Sequence, residues 1–428
     1  TYIFFFPALL LWLGANFCNL RSTIAQSPQG GRLLMFLFVT GITSVFGINP
    51  ERSLLKLPMA MVYALGIFMF RDLVGKVGST RLITALIAGQ TISSFYSLIE
   101  SSCLGQAPQL FVGTVSESGQ LALTFIVALG LAIYKPDSAA PSSDLQGLLF
   151  PRLNTWTAKP VAVLSFITFG AIAFSYYFNF NQAIRVIVIA CGGILALFCW
   201  LILFDSLKSR NQDLKRTQWA LISCLLPLMF VALLANLKRG PWLGVFTAAF
   251  LLMFVCRKKY IFLLLIGALA TLVALPPARA RLAHSYNDFM IAGGRSVIWK
   301  VGSELLTTYP LGIGYKNSAF LREFAPEVPP ELRHFHNTAL NVLIETGWVV
   351  LLAFCWWIWA VLRSAFRSFW TPPLKILPLS IGCAVISWLM AGLVEYNFGD
   401  SEVKLILFLL LGILAWQDKV ETPNPDTP

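Results

Sequence analysis

Long apolar stretches separated by short polar connections run through this chain from end to end. They occupy roughly 2–18, 33–48, 54–70, 81–98, 119–134, 160–178, 184–207, 217–236, 243–256, 260–276, 340–363, 375–396 and 403–416. A bilayer-crossing helix needs about 20 apolar residues, so most of these runs can cross, although several are short or broken by Pro or Gly. The pattern predicts about twelve or thirteen spans. No strand-like alternation and no internal repeat stands out. Backbone groups in lipid must be satisfied within each segment, so the predicted fold class is an all-α polytopic membrane protein.

Composition agrees with the pattern. The 428 residues are 57% hydrophobic and only 12% charged, with a mean hydropathy of +0.73. Soluble domains carry about 25% charged residues, which excludes a soluble enzyme, a disordered scaffold and a secreted disulfide module. The net charge of +12 fits positively charged loops and anionic headgroups better than a nucleic-acid partner. The eight cysteines lie almost entirely in apolar runs without a CxxC pair, so neither a disulfide framework nor a cysteine metal cluster is expected. The chain opens at Thr1 and not at Met, so a few preceding residues are expected. Its first apolar run lacks a following small-residue cleavage site and reads as a span, not a signal peptide.

Basic residues set the expected orientation. The connections around 20–32, 71–81, 135–159, 208–216, 257–259 and 363–375, with the tail, hold 19 Lys and Arg. Apart from one long loop, the opposite side holds 6: Arg52, Lys56, Arg185, Lys238, Arg239 and Lys404. The first set, marked by Lys208–Arg216 and Arg257–Lys259, is expected in the cytoplasm, and the long loop outside. The organisation follows as 1–216, N-terminal spans; 217–363, a central region with the loop at 277–339; 364–416, C-terminal spans; and 417–428, an acidic, Pro-rich cytoplasmic tail read as disordered.

That loop is too long for a connector and is not disordered in composition. Tyr286, Phe289, Met290, Ile291, Val297, Ile298, Trp299, Leu305, Leu306 and Phe320 suit short amphipathic helices against a membrane surface. The three histidines of the chain, His284, His334 and His336, all lie in it or at its end. Asn337 or Thr338 can cap the helix that follows, and Asn337, Asn341 and Glu345 share one face of it. A polar stripe on a membrane helix faces a bundle interior or a wet cavity. Capping and interhelical hydrogen bonding account for the asparagines but not for the gathering of histidines. A His-x-His metal site lacks Cys or Asp companions. Outward arginines form a second group: Arg185, Arg295 and Arg239, the last beside Lys238. A guanidinium fork binds phosphate oxygens bidentately, whereas a single arginine can equally snorkel to headgroups.

Four motifs, Lys238-Arg239-Gly240-Pro241-Trp242-Leu243-Gly244, Gly294-Arg295-Ser296-Val297-Ile298-Trp299, Tyr309-Pro310-Leu311-Gly312-Ile313-Gly314-Tyr315, and His334-Phe335-His336-Asn337 running into Glu345-Thr346-Gly347, occur in an order and spacing that resembles the O-antigen ligase and polymerase superfamily of bacterial cell-envelope glycosyltransferases. The resemblance covers about 217–363. Lys238 departs from it, since the family usually has Ser there.

The resemblance implies a GT-C-like membrane fold with one large periplasmic loop. It implies inverting transfer of a glycan from undecaprenyl diphosphate to an acceptor hydroxyl at the periplasmic face of the inner membrane, without metal or cofactor. The acceptor expected first is lipid A–core oligosaccharide, as in lipopolysaccharide biosynthesis; a lipid-linked repeat (polymerase) or a Ser or Thr (protein O-oligosaccharyltransferase) are alternatives. His336, the histidine directly before Asn, takes the role of general base. Arg239 and Arg295, with Arg185, would bind diphosphate. Asn337 or Glu345 would orient the imidazole, with His334, Lys238 and Tyr315 in support. A transporter of anions or lipid-linked glycans is the reading from another class, but the inverted repeats and broken helices common in transporters are not evident.

Overall fold

The computed structural model describes residues 2–25, 27–104, 114–133, 155–175, 181–208, 220–256, 266–267, 269–270, 276–290, 294–326, 328, 332–370 and 376–421. The expected cytoplasmic cluster Arg257–Lys259, most of Lys208–Arg216, and the Pro-rich tail lie outside the described residues, as does Ile291.

The described residues are mostly helical, as the pattern predicts. In order come α1 (Tyr2–Asn16), α2 (Leu20–Ala25), α3 (Pro28–Ser44), α4 (Pro50–Val77), α5 (Ser79–Leu104), α6 (Thr114–Ile133), α7 (Thr155–Phe174) and α8 (Gln182–Lys208). A π-helical turn at Leu221–Leu225 leads into α9 (Leu226–Ala235), followed by α10 (Arg239–Cys256). The loop region holds α11 (Pro276–Ala283), α12 (Ser285–Met290), α13 (Arg295–Thr308) and α14 (Leu321–Phe324). The chain closes with α15 (Thr338–Trp370), α16 (Ile376–Ala391) and α17 (Ser401–Glu421). Among the described residues seven helices are long and apolar enough to cross a membrane, and Lys159–Phe174, Leu221–Ala235 and Ile376–Ala391 are shorter apolar helices. Large apolar side chains such as Leu11, Leu55, Ile194, Phe254 and Leu352 stand exposed, as a lipid-facing surface requires.

The chain divides into two compact units. The first comprises 1–79, 273–374 and 388–428; the second comprises 80–272 and 375–387.

In the first unit α17 packs along α4, and α15 along α3. Gly412 of α17 lets the α4 backbone approach: a Cβ there would sit 2.9 Å from the Arg71 nitrogen and the Ile67 oxygen. Arg71, buried in α4, donates to Thr23 O at 2.9 Å and pairs with Asp72 at 2.8 Å, which satisfies a charge the apolar surroundings would otherwise penalise. The loop elements close over their own small core, with Ile298, Val301, Ile313, Leu321, Phe335 and Ile344 buried together.

In the second unit α6 packs on α9 and α10, while α7 packs on α8, α9 and the π turn. That turn disrupts the regular i→i−4 ladder, and the Ser165 hydroxyl donates 2.6 Å to Ser223 O within it. Gly244 lies so close to Ser387 O that a Cβ would stand 2.2 Å away.

Candidate active site

The loop-to-helix junction of the first unit is shaped by glycines the backbone demands. Gly347 breaks the helical path of α15 with φ 81° and ψ 175°, a conformation that side-chain-bearing residues rarely adopt. The segment Leu311–Gly314 lies against this break: Ile313 N donates to Ile344 O at 2.9 Å and Gly314 N to Glu345 O at 2.7 Å. Gly312 (φ 89°) faces the same backbone, and a Cβ on it would meet Glu345 O at 2.5 Å. The Gly-Ile-Gly and Glu-Thr-Gly motifs are thus the two sides of one contact.

Asn337 caps α15, its Oδ1 accepting from Leu340 N at 3.0 Å, while its Nδ2 donates to Leu393 O at 2.9 Å. Thr338 binds the turn after α16, donating from N to Gly392 O at 2.7 Å and from Oγ1 to Asn397 Oδ1 at 3.0 Å. These bonds carry the 392–397 turn to the histidines.

His336 has φ 48°, in the left-handed region. For a residue with a side chain such a conformation costs on the order of 1–3 kcal/mol and persists only where the surroundings enforce it. Its Nδ1 lies 3.2 Å from Glu395 Oε2, and its Nε2 is buried without a hydrogen-bond partner. Glu395 Oε1 accepts from Arg295 Nη2 at 3.1 Å. Burial works to raise the Glu395 pKa, but the His336 hydrogen bond and the Arg295 charge more than offset it and hold the carboxyl below the usual glutamate value. An ionised carboxylate can only accept. A proton on His336 Nδ1 satisfies this contact, and Nε2 is the ring nitrogen left without a hydrogen-bond partner.

Arg295, only 8% exposed, also donates to Val394 O. Its fork is closed on protein acceptors. The imidazole partner is likewise not one the sequence offers: Glu345 accepts from Ser318 N and Oγ, Asn337 caps the helix, and Glu395 holds the ring. Glu395 went unnoticed because it ends the apolar run 375–396, where it reads as a flank of a span. A carboxylate beside an outer turn was the available signal.

His334 stacks near His336, ring centroids 4.1 Å apart, and its Nδ1 accepts from His336 N at 3.3 Å. Burial above all, with electrostatic coupling to the adjacent His336 imidazole, lowers its pKa from 6.5 to about 4, so it stays neutral. Tyr315 is tied to α3 through its backbone N and Ser44 Oγ, 3.2 Å apart. Burial raises its phenol pKa, with the nearby Glu345 adding to the effect, so it remains a hydroxyl donor.

The first unit thus brings His334, His336, Asn337, Glu345, Tyr315 and Arg295 into one region. Arg185, Lys238 and Arg239 belong to the second unit. There Arg185 Nη1 donates to Ser102 O at 3.4 Å, and Arg239 opens α10 after Leu237, whose φ is 51°. Among the described residues no three His, Cys, Asp or Glu side chains gather as a metal ion would need.

The first unit also has a cavity of about 400 Å³ with His334 in its wall. Arg52, Lys56, Lys316, Arg333 and Lys404 line it, and Asp400 is the single carboxylate among its described lining residues. All five cations belong to the set expected on the outer side, but the sequence does not bring them together, because they are spread over some 350 positions of the chain.

The structure is thus that of an all-α, multi-pass membrane protein whose loop-to-helix junction brings a histidine and a carboxylate together. Residues 224–355 match the family model described as O-Antigen ligase. Over that stretch the chain is similar to the O-antigen ligase family. No curated protein matches the chain.

Proposed function

We propose that this protein is an O-antigen ligase that moves a glycan from undecaprenyl diphosphate to a hydroxyl of lipid A–core oligosaccharide, at the periplasmic face of the bacterial inner membrane. The observation that carries the reading is the His336 imidazole, held by Glu395 at Nδ1 with Nε2 buried and unpartnered, inside the matched domain.

The acceptor hydroxyl gives its proton to His336 Nε2 as its oxygen bonds to the anomeric carbon. The bond from that carbon to the phosphate oxygen breaks, and its electron pair leaves with the diphosphate. Attack opposite the leaving group inverts the anomeric centre. Diphosphate is already a good leaving group, so the protein needs a base and positive charge more than a strong acid. Histidine is the side chain suited to the first task near neutral pH. Glu395 fixes the tautomer and stabilises the imidazolium that forms, and Arg295 positions Glu395. Arg239 takes the diphosphate-binding role its motif implies, with Arg185 as a further outward arginine in support. Arg239→Lys, which keeps the charge but loses the fork, tests this against the control Arg257→Lys.

The reading is tested by incubating the purified protein with an undecaprenyl-diphosphate glycan and, in parallel, lipid A–core, a second lipid-linked repeat, or a Ser/Thr peptide. Joined glycan–lipid A–core is the expected product. Preference for either other acceptor would replace the ligase assignment with polymerase or protein glycosyltransferase. No product with any acceptor, alongside flux of the glycan lipid across vesicles, would replace it with transport.

A further inference from the structure

A separate pair of cations lies at the end of α15 away from the His336 junction, and the transfer chemistry does not use it. Arg363 of α15 holds its guanidinium 5.2 Å from the centre of the Trp359 ring. Arg32, near the start of α3, lies over the Trp356 ring at 5.0 Å. The two indoles are about one turn of α15 apart, some 5 Å along the helix axis. Among the described residues no carboxylate forms an ion pair with Arg32 or Arg363. Asp418 of α17, the carboxylate beside this end of the helix, accepts instead from Gln29 Nε2 at 2.7 Å and from Ser364 Oγ at 2.6 Å.

A snorkelling arginine only needs to reach the headgroups, and nothing fixes its plane. Here each guanidinium is laid on an indole face, a contact that orients it while leaving its N–H edge to meet an acceptor. Away from the arginines both helices turn apolar. Val349, Leu352, Trp356, Trp359 and Arg363 follow one another at steps of three and four residues, hence along one face of α15, and the first four are exposed. The neighbouring α3, which packs along α15, exposes Met35, Phe38 and Ile42. The surface therefore has two unpaired cationic forks at one end and an apolar strip running away from them. A ligand that fits both carries a phosphate head and apolar chains.

We propose that this face binds one anionic diacyl phospholipid, its phosphate held between Arg32 and Arg363 and its chains lying on the apolar strips of α3 and α15. The lipid is a resident ligand, neither glycan donor nor acceptor, and the inference does not depend on the transfer reading. Two guanidiniums favour a head of net negative charge, such as a phosphatidylglycerol or a cardiolipin, and repel the ammonium of phosphatidylethanolamine. Because α15 starts at the His336 junction, a lipid bound at its other end anchors the helix on which that junction is built.

The test is native mass spectrometry of the full chain, delipidated in a non-ionic detergent and titrated with dioleoyl phosphatidylglycerol, cardiolipin or dioleoyl phosphatidylethanolamine. One anionic lipid per chain should be retained, at least about tenfold more tightly than phosphatidylethanolamine, and an excess of inorganic phosphate should not displace it. Arg32→Gln combined with Arg363→Gln should weaken retention by about tenfold or more. Arg32→Lys combined with Arg363→Lys keeps both charges but loses the planar forks, and should weaken it comparably. Trp359→Leu, at an exposed position that stays apolar, is a second variant that removes a stacking face without disturbing the core and should weaken retention as well. Arg81→Gln, at an exposed arginine of the second unit, should leave retention unchanged. Wild-type retention in the paired Gln variant and in Trp359→Leu overturns the proposal. Wild-type retention in the paired Lys variant reduces the site to a patch of charge and overturns it too. Equal retention of phosphatidylethanolamine, or displacement by inorganic phosphate, would also contradict it, the second by assigning the forks to a free anion.

Discussion

At the scale of single residues, two neighbouring histidines do opposite work because their surroundings differ. His336 has a carboxylate at Nδ1 and a buried, unpartnered Nε2, whereas His334 has its Nδ1 occupied by a backbone N–H and is kept neutral by burial. Glu395→Gln removes the charge that stabilises an imidazolium and leaves Arg295 without its ion-pair partner. It should lower kcat while leaving the acceptor KM close to normal; a change confined to KM would place Glu395 in acceptor binding instead. His334 makes a prediction in pH. A histidine whose pKa falls from 6.5 to about 4 on folding takes up its proton more readily when unfolded. Its contribution to stability is therefore complete above pH 6.5 and is lost as pH falls toward 4. Thermal unfolding across that range should decline more steeply for the wild type than for His334→Gln. Parallel curves would contradict the assignment.

At the scale of elements, the site depends on one break in α15 and the segment pressed against it. Gly312 and Gly347 both have positive φ, and a Cβ on either would lie within 2.6 Å of backbone atoms across the contact. No side-chain rotation relieves such a clash, so Gly312→Ala and Gly347→Ala should each destabilise by more than ~1 kcal/mol. Gly14→Ala, in α1 with nothing within 4 Å of its Cβ, should be neutral or slightly stabilising. Melting temperatures of the three variants decide this. The same elements show what a sequence can reveal. The apolar runs, the cap at Asn337, and the glycine motifs were legible because each follows from local spacing or backbone geometry. The buried stripe of Asn341 (0% exposed) and Glu345 (1%) was legible from helical periodicity. Glu395 and the basic cavity were not. Glu395 reaches His336 only because Thr338 and Asn337 bind the turn after α16, and cations from α4, the loop and α17 meet only through tertiary packing.

At the scale of the whole molecule, an apolar helical chain presents its charged chemistry through a structured loop, and the side on which that loop lies decides which substrates it meets. The distribution of basic connections leads us to propose that it lies outside. A cysteine introduced at the exposed Glu304 should then react with a membrane-impermeant maleimide added to spheroplasts; labelling only after permeabilisation would put the loop in the cytoplasm. The central claim is that His336 removes the acceptor proton in a glycan transfer. The most direct measurement is the rate of glycan transfer from undecaprenyl diphosphate to lipid A–core by purified wild-type and His336→Ala proteins of equal thermal stability. The account predicts joined product from the wild type and a rate lower by ~10²–10⁴-fold in the variant; transfer by His336→Ala at the wild-type rate would contradict it.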